Sequence, residues 1–149
     1  MNETLYILMR TDLGSMGPGR AAAQASHAAN AFWHKYGGTA DYIDEWAAST
    51  PQGFGTAIVL GATIDQITDL HKTALHDKYP TELVTDPDYV ISIPTEILPI
   101  IVNSAKSKIE QSPMDPNKYL YHRSEVTCAY IFGDKEKLFP LLGSLPLYS

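Results

Sequence analysis

Leu5-Tyr6-Ile7-Leu8-Met9-Arg10-Thr11-Asp12-Leu13, and then Met16-Gly17-Pro18-Gly19-Arg20-Ala21-Ala22-Ala23-Gln24-Ala25-Ser26-His27-Ala28, form the stretch on which the fold turns. The first half is a short apolar run closed by turn-forming residues, the pattern of a buried strand. The second half opens on a glycine loop and continues as an alanine-rich segment of high helix propensity. Strand, glycine loop and helix in that order are the start of an α/β unit. Arg20, Gln24 and His27 are spaced four and three residues apart, so they share one helical stripe of about 60° of arc and about 10 Å of axis. The alanines between them carry little bulk and let a sheet or a ligand approach the backbone. Gly17 and Gly19 leave the first helical turn uncovered, where orphan N–H groups and the positive end of the helix dipole can hold an anion.

Working outward, the helix is expected from about Arg20 to Tyr36, ended by Gly37-Gly38 as a left-handed cap. A shorter helix is expected at 40–49 with Thr39 as its N-cap. Thr56-Ala57-Ile58-Val59-Leu60 reads as a fully buried strand. Thr63-Ile64-Asp65-Gln66 fits a capping box, and Ile64, Ile67, Leu70, Ala74 and Leu75 line one face of the helix it opens, which runs to about Lys78. A third strand at Thr81–Thr85 is closed by Asp86-Pro87-Asp88. Ile97 to Val102, interrupted by Pro99, reads as an edge or irregular strand. A short helix through Lys108 and a loop at Pro113 to Pro116 follow. The last strand spans about Val126 to Phe132, and Asp134 caps a final helix near Lys135 to Leu142. This alternation predicts a three-layer α/β domain, a mixed sheet of four or five strands with helices on both faces.

Composition narrows the functional classes. The 149 residues suit one domain with a real core, and 44% are hydrophobic. Cys128 is the only cysteine, so no internal bridge forms and a reducing, cytoplasmic setting is expected. No apolar run reaches the length of a membrane span, and no leader pattern precedes the first strand. A net charge of −6 argues against a broad nucleic-acid-gripping surface, because phosphate contacts supply most of such affinity. The charge is uneven: residues 39–102 hold ten acids and two lysines, whereas residues 103–149 hold six bases and five acids. Lys106, Lys108, Lys118 and Arg123 can therefore flank a site or simply solvate a loop. His71 and His76 fall on different helical faces, and no histidine has partners at zinc-like spacing, so no metal site is expected. No Gly-x-Ser-x-Gly elbow presents a serine nucleophile.

The linked string over residues 10–28 resembles type II peptidyl-tRNA hydrolases, which carry Arg-x-Asp-Leu, Met-Gly-Lys-Gly-Lys and Ala-Ala-Gln-x-x-His-Ala in that order. Arg10-Thr11-Asp12-Leu13, Met16-Gly17, Gly19, Ala22-Ala23-Gln24 and His27-Ala28 match it. Pro18 and Arg20 depart, standing where the family has lysines. Leu83-Val84-Thr85-Asp86 is similar to the family's Leu-Ile-x-Asp at the end of a middle strand. Val126 to Gly133 is similar to its last strand, with Thr127 at the family's functional threonine. Val90 stands in place of a second threonine, and the chain carries an insertion at about 95–124.

The resemblance implies a single hydrolase-like domain that cleaves the ester of peptidyl-tRNA by metal-free attack of water, with no cofactor. Such a reaction needs a group on the water, a donor for the developing oxyanion and a hold on the nucleic-acid end. Asp86 takes the first role, Arg20 with Gln24 the second, and the Gly17 to Gly19 amides, with His27, the third; Thr127 relays or positions the water. Arginine keeps its charge at any working pH, so Arg20 is excluded as a base but can stabilise an oxyanion. Plainer readings stand beside these: a surface charge for Arg20, a backbone partner for Gln24, packing for His27, a turn for Asp86 and β-propensity for Thr127. The implied partner is the tRNA 3′ end bearing a peptidyl group, and a homodimer is the analogy with relatives. The other functional class is a non-catalytic RNA- or protein-binding module on the same fold.

Overall fold

A computed structural model describes residues 2–94 and 109–149. The edge strand expected at Ile97 to Val102 and the short helix ending at Lys108 lie outside them. In chain order the elements are β1 (Glu3–Arg10), α1 (Pro18–Tyr36), α2 (Asp41–Ala47), β2 (Ala57–Ala62), α3 (Ile64–His76), β3 (Thr81–Pro94), β4 (Ile109–Gln111), β5 (Lys118–Asp134) and α4 (Lys135–Leu142). The five strands form one mixed sheet in the order β2-β1-β5-β3, with β4 beside β5. β1 pairs β2 in parallel, from Leu5 opposite Ala57 to Arg10 opposite Ala62. Parallel neighbours need a long crossover, and α1 and α2 supply it. β1 and β5 run antiparallel, from Glu3 opposite Asp134 to Met9 opposite Cys128.

Alternation along the two central strands sorts the core into two layers. Leu5, Ile7 and Met9 of β1, with Cys128, Tyr130 and Phe132 of β5, pack against Ala21, Ala28 and Phe32 of α1 and Ile43 and Trp46 of α2. Tyr6, Leu8, Ala129 and Ile131 face Ile67 and Ala74 of α3 and Leu138 and Leu142 of α4. The architecture is thus three-layer α/β. Phe32 is the aromatic hub of the first layer, with ring centroids 4.8 Å from Phe132, 5.5 Å from Tyr130 and 5.6 Å from Trp46.

Several local expectations are corrected. α1 starts two residues early because Pro18 sits in its first turn, where a missing N–H costs nothing. The left-handed residue after α1 is Gly38, at φ +74°, whereas Gly37 is tight for another reason: a Cβ there would sit 2.9 Å from the Trp33 ring. Thr39 does not cap α2. Its hydroxyl turns back to the Tyr36 carbonyl at 2.6 Å, and the N-cap is Ala40, without a side-chain bond. β2 is only partly buried, with Ala57 exposed and Ile58 and Val59 half-buried. Among the described residues it ends the strand order, and beyond it the C-terminal tail adds the Gly61 N–H to Pro146 O and Tyr148 N–H to Val59 O bonds. The capping box of α3 is present, with both reciprocal bonds made. Leu75, expected on the buried face of that helix, is 60% exposed.

The largest corrections concern β3 and β5. β3 does not close at Asp86-Pro87-Asp88 but runs through them to Pro94. Among the described residues β3 ends the strand order, and an edge strand tolerates the missing ladder N–H of Pro87. β5 likewise begins at Lys118, eight residues ahead of the expected Val126.

The chain divides into two compact units, Met1–Val84 with Val126–Ser149, and Thr85–Glu125. The second unit holds the far half of β3, β4 and the near half of β5. There β4 pairs β5 antiparallel, Ile109 opposite Tyr121 and Gln111 opposite Tyr119. The turn joining them is closed by Ser112 N–H to Lys118 O at 2.9 Å and by the Gln111 carboxamide to Pro116 O at 2.7 Å. His122, its side chain 15% exposed, lies between two carboxylates: Nδ1 is 2.7 Å from Asp88 Oδ1 on β3, and Nε2 is 3.0 Å from Glu110 Oε1 on β4. Hydrogen bonds to Asp88 and then Glu110 raise its pKa above the usual 6.5.

Candidate active site

α1 does not present Arg20, Gln24 and His27 alike. Its buried stripe is Ala21, Gln24, Ala28 and Phe32, while Arg20 and His27 are exposed. The helical angle explains the split: Gln24 sits about 60° from Ala21, on the edge of the core-facing stripe, whereas His27 is about 120° away. Gln24 therefore enters the core layer and meets β5. The Thr127 hydroxyl donates to Gln24 Oε1 at 2.6 Å, with both residues buried. Beside them the Cys128 thiol lies 3.6 Å from the Gln24 carbonyl. Burial pushes that thiol up to about 11, so it stays protonated and is no nucleophile at neutral pH.

At the head of α1, Gly17 is the N-cap residue in an extended conformation and makes no side-chain cap. Neither Gly17 nor Gly19 would bring a Cβ within 4 Å of another part of the chain. The Gly17 N–H is used by Ser15 O at 3.1 Å, and Pro18 has no N–H. The Gly19 N–H lies in the first turn of α1, where amides have no partner within the helix. Asp86 lies within β3 in the Thr85–Glu125 unit, half-buried, where its Oδ1 accepts the Asp88 N–H at 3.0 Å. Val90 follows on the same strand, also half-buried. Lys118 is exposed. Arg123 pairs with Glu125 at 2.8 Å, and its Nε is buried without a hydrogen-bond partner among the described residues. Lys106 and Lys108 fall outside the described residues.

Two residues acquire a place that the sequence reading did not assign. Arg10, only 8% exposed, directs Nε to Asp12 Oδ1 at 2.9 Å and Nη1 to the Val126 carbonyl at 3.1 Å. Asp12 Oδ2 in turn accepts the Ile64 N–H at the start of α3, at 3.2 Å. Hydrogen bonding to Arg10 holds the Asp12 carboxyl below its ordinary value, against a smaller opposing effect of burial. The signal was visible as a cation ending an apolar strand with an acid two residues on. Among the described residues no cluster of three or more histidine, cysteine or acidic side chains is arranged to hold a metal ion, and no helix is long and apolar enough to cross a membrane.

A three-layer α/β fold with a glycine-led helix, whose buried glutamine is bonded to a threonine of the central antiparallel strand, defines the class. Residues 4–111, well over half of the chain, match the family Peptidyl-tRNA hydrolase PTH2. The chain belongs to that family. The match ends before Thr127, so that residue's part rests on its bond to Gln24. No individual curated protein matches the chain.

Proposed function

We propose that this protein releases peptides from peptidyl-tRNA by attack of water on the ester that joins the peptide to the terminal ribose. Family membership supports the hydrolase class, and the observation that carries the finer reading is the buried 2.6 Å bond between Thr127 and Gln24. A glutamine on the core-facing edge of a helix has no packing advantage over leucine. Its carboxamide must be satisfied, at a cost of about 1–3 kcal/mol if it is not, and Thr127 meets that need in one orientation. The bond from Thr127 to Oε1 fixes the rotation of the Gln24 carboxamide, whose N–H groups are the oxyanion donors in this reading. One turn earlier, Arg20 supplies an exposed and permanent positive charge. Together they are suited to the oxyanion that develops as water attacks, while Gly17 and Gly19 at the uncovered helix start, and His27 about two turns further along the same helix, take the nucleic-acid end.

Thr127 has no exposed surface, so in this reading it acts through Gln24 as a positioning residue and does not touch the water. Asp86 is assigned the water on its likeness to the family's Leu-Ile-x-Asp. The protein is read as one such domain carrying the 95–124 insertion, acting in the cytoplasm and needing no metal. Incubation of the purified chain with peptidyl-tRNA tests the assignment. Peptide is released by the wild type, whereas Arg20→Ala loses about 10²- to 10³-fold in rate, the effect of removing one oxyanion donor, and Asp86→Ala loses about 10²- to 10⁴-fold, the range of a general base. No wild-type release above the Asp86→Ala level leaves a binding module on the same fold.

A further inference from the structure

A buried guanidinium is costly unless its hydrogen bonds are placed well, and two of the Arg10 N–H groups reach neighbouring elements. One N–H goes to Asp12, which itself receives the first amide of α3. Another goes to the carbonyl of Val126, the residue that immediately precedes Thr127. Met9 faces Cys128 in the β1–β5 ladder, so Arg10 stands one step further along, at the level of Thr127 itself. The side chain thus reaches across the end of the ladder and ties down the peptide group from which Thr127 projects.

We infer that Arg10, held by Asp12, is a positioning residue for the candidate active site: by fixing the Val126 carbonyl it sets the direction in which Thr127 presents its hydroxyl to Gln24. The inference rests on the proposed hydrolase reading for its catalytic consequence, but its geometry does not. Lysine cannot replace the guanidinium, because an ammonium is a single point donor without the planar fork that serves a carboxylate and a carbonyl together. Asp12 is equally specific. It accepts from Arg10 through one carboxylate oxygen and from the Ile64 amide through the other, and asparagine puts an NH2 donor in place of one of those oxygens.

The test compares Arg10→Met, Arg10→Lys and Asp12→Asn with the wild type in steady-state peptidyl-tRNA hydrolysis, alongside the methyl resonance of Thr127 in threonine-labelled protein. A misplacement of a catalytic group by about 1 Å costs about 10²-fold. The expected result is therefore a fall in kcat of about that size in Arg10→Met, with KM within about twofold, as befits a lost transition-state interaction. Arg10→Lys retains charge and fold yet shows the same kcat defect, and the Thr127 methyl shifts in all three variants. Wild-type kcat in Arg10→Lys, or an unmoved Thr127 resonance in a folded variant, overturns the inference. If the wild type itself hydrolyses nothing, the functional reading fails alone, and the Thr127 resonance still decides whether Arg10 positions that residue.

Discussion

The Gln24–Thr127 contact and the His122 clamp each join segments far apart in sequence, but they do so with opposite physics. In the unit built from Met1–Val84 and Val126–Ser149, the link is neutral, dry and embedded in an aromatic layer around Phe32. In the Thr85–Glu125 unit it is an imidazole between two carboxylates at 2.7 and 3.0 Å, on strands with only a few buried residues such as Tyr89 and Ile93. The first kind of link is blind to pH near neutrality. The second depends on protons, because both ring nitrogens donate to carboxylates only when the imidazole is charged. What the difference teaches is where each unit takes its order from: packing in one, charge in the other.

The strongest way to break the comparison is through the aromatic hub. Phe32 is fully buried with four ring neighbours, and Phe32→Ala should cost about 3–5 kcal/mol in denaturant unfolding. A loss below about 1 kcal/mol would show that the first unit does not depend on this layer. Thr127→Val keeps shape and β-propensity but withdraws the donor from buried Gln24 Oε1, for an expected loss of about 1–3 kcal/mol that stays constant from pH 6 to 8. A pH-dependent loss there would place a titrating group in the link.

The smallest effect on global stability, and the most local, concerns His122. Its folded pKa is raised, so the stabilisation it gives is fully present below the unfolded value near 6.5 and is lost as pH rises through the folded pKa. Amide exchange, corrected for its intrinsic pH dependence, should therefore show protection at Ile109–Gln111 and Tyr119–His122 falling as pH rises through that window. His122→Gln should remove the dependence. Equal protection on both sides of the window in the wild type would mean that charge is not what orders the ribbon.

Much of the first unit was legible because its signals are local. The continuous apolar run Leu5 to Met9, the Thr63–Gln66 capping box and the Asp134 cap each act within a few residues, and all three appear as the residues prescribe. What escaped is what depends on partners distant in the chain. Asp86-Pro87-Asp88 carries every local mark of a turn, yet β3 passes straight through because Tyr89 and Ile93 have somewhere to be buried. β4 is three residues long and has no signal apart from β5. At the candidate site, helical spacing grouped Arg20, Gln24 and His27, but the direction of the core, set by β1 and β5, separates Gln24 from the other two. The use of Arg10 needed the Val126 carbonyl to be placed opposite the end of β1, a distance of 116 residues along the chain.

The central claim is that the carboxamide of Gln24, aimed by Thr127, serves the reaction rather than the packing. Single-turnover release of peptide from peptidyl-tRNA by Gln24→Leu tests it most directly, since leucine fills the same space without a donor. The account predicts a chemical step slower by about 10²-fold or more in a protein that remains folded. A folded Gln24→Leu protein that releases peptide at the wild-type rate would contradict it.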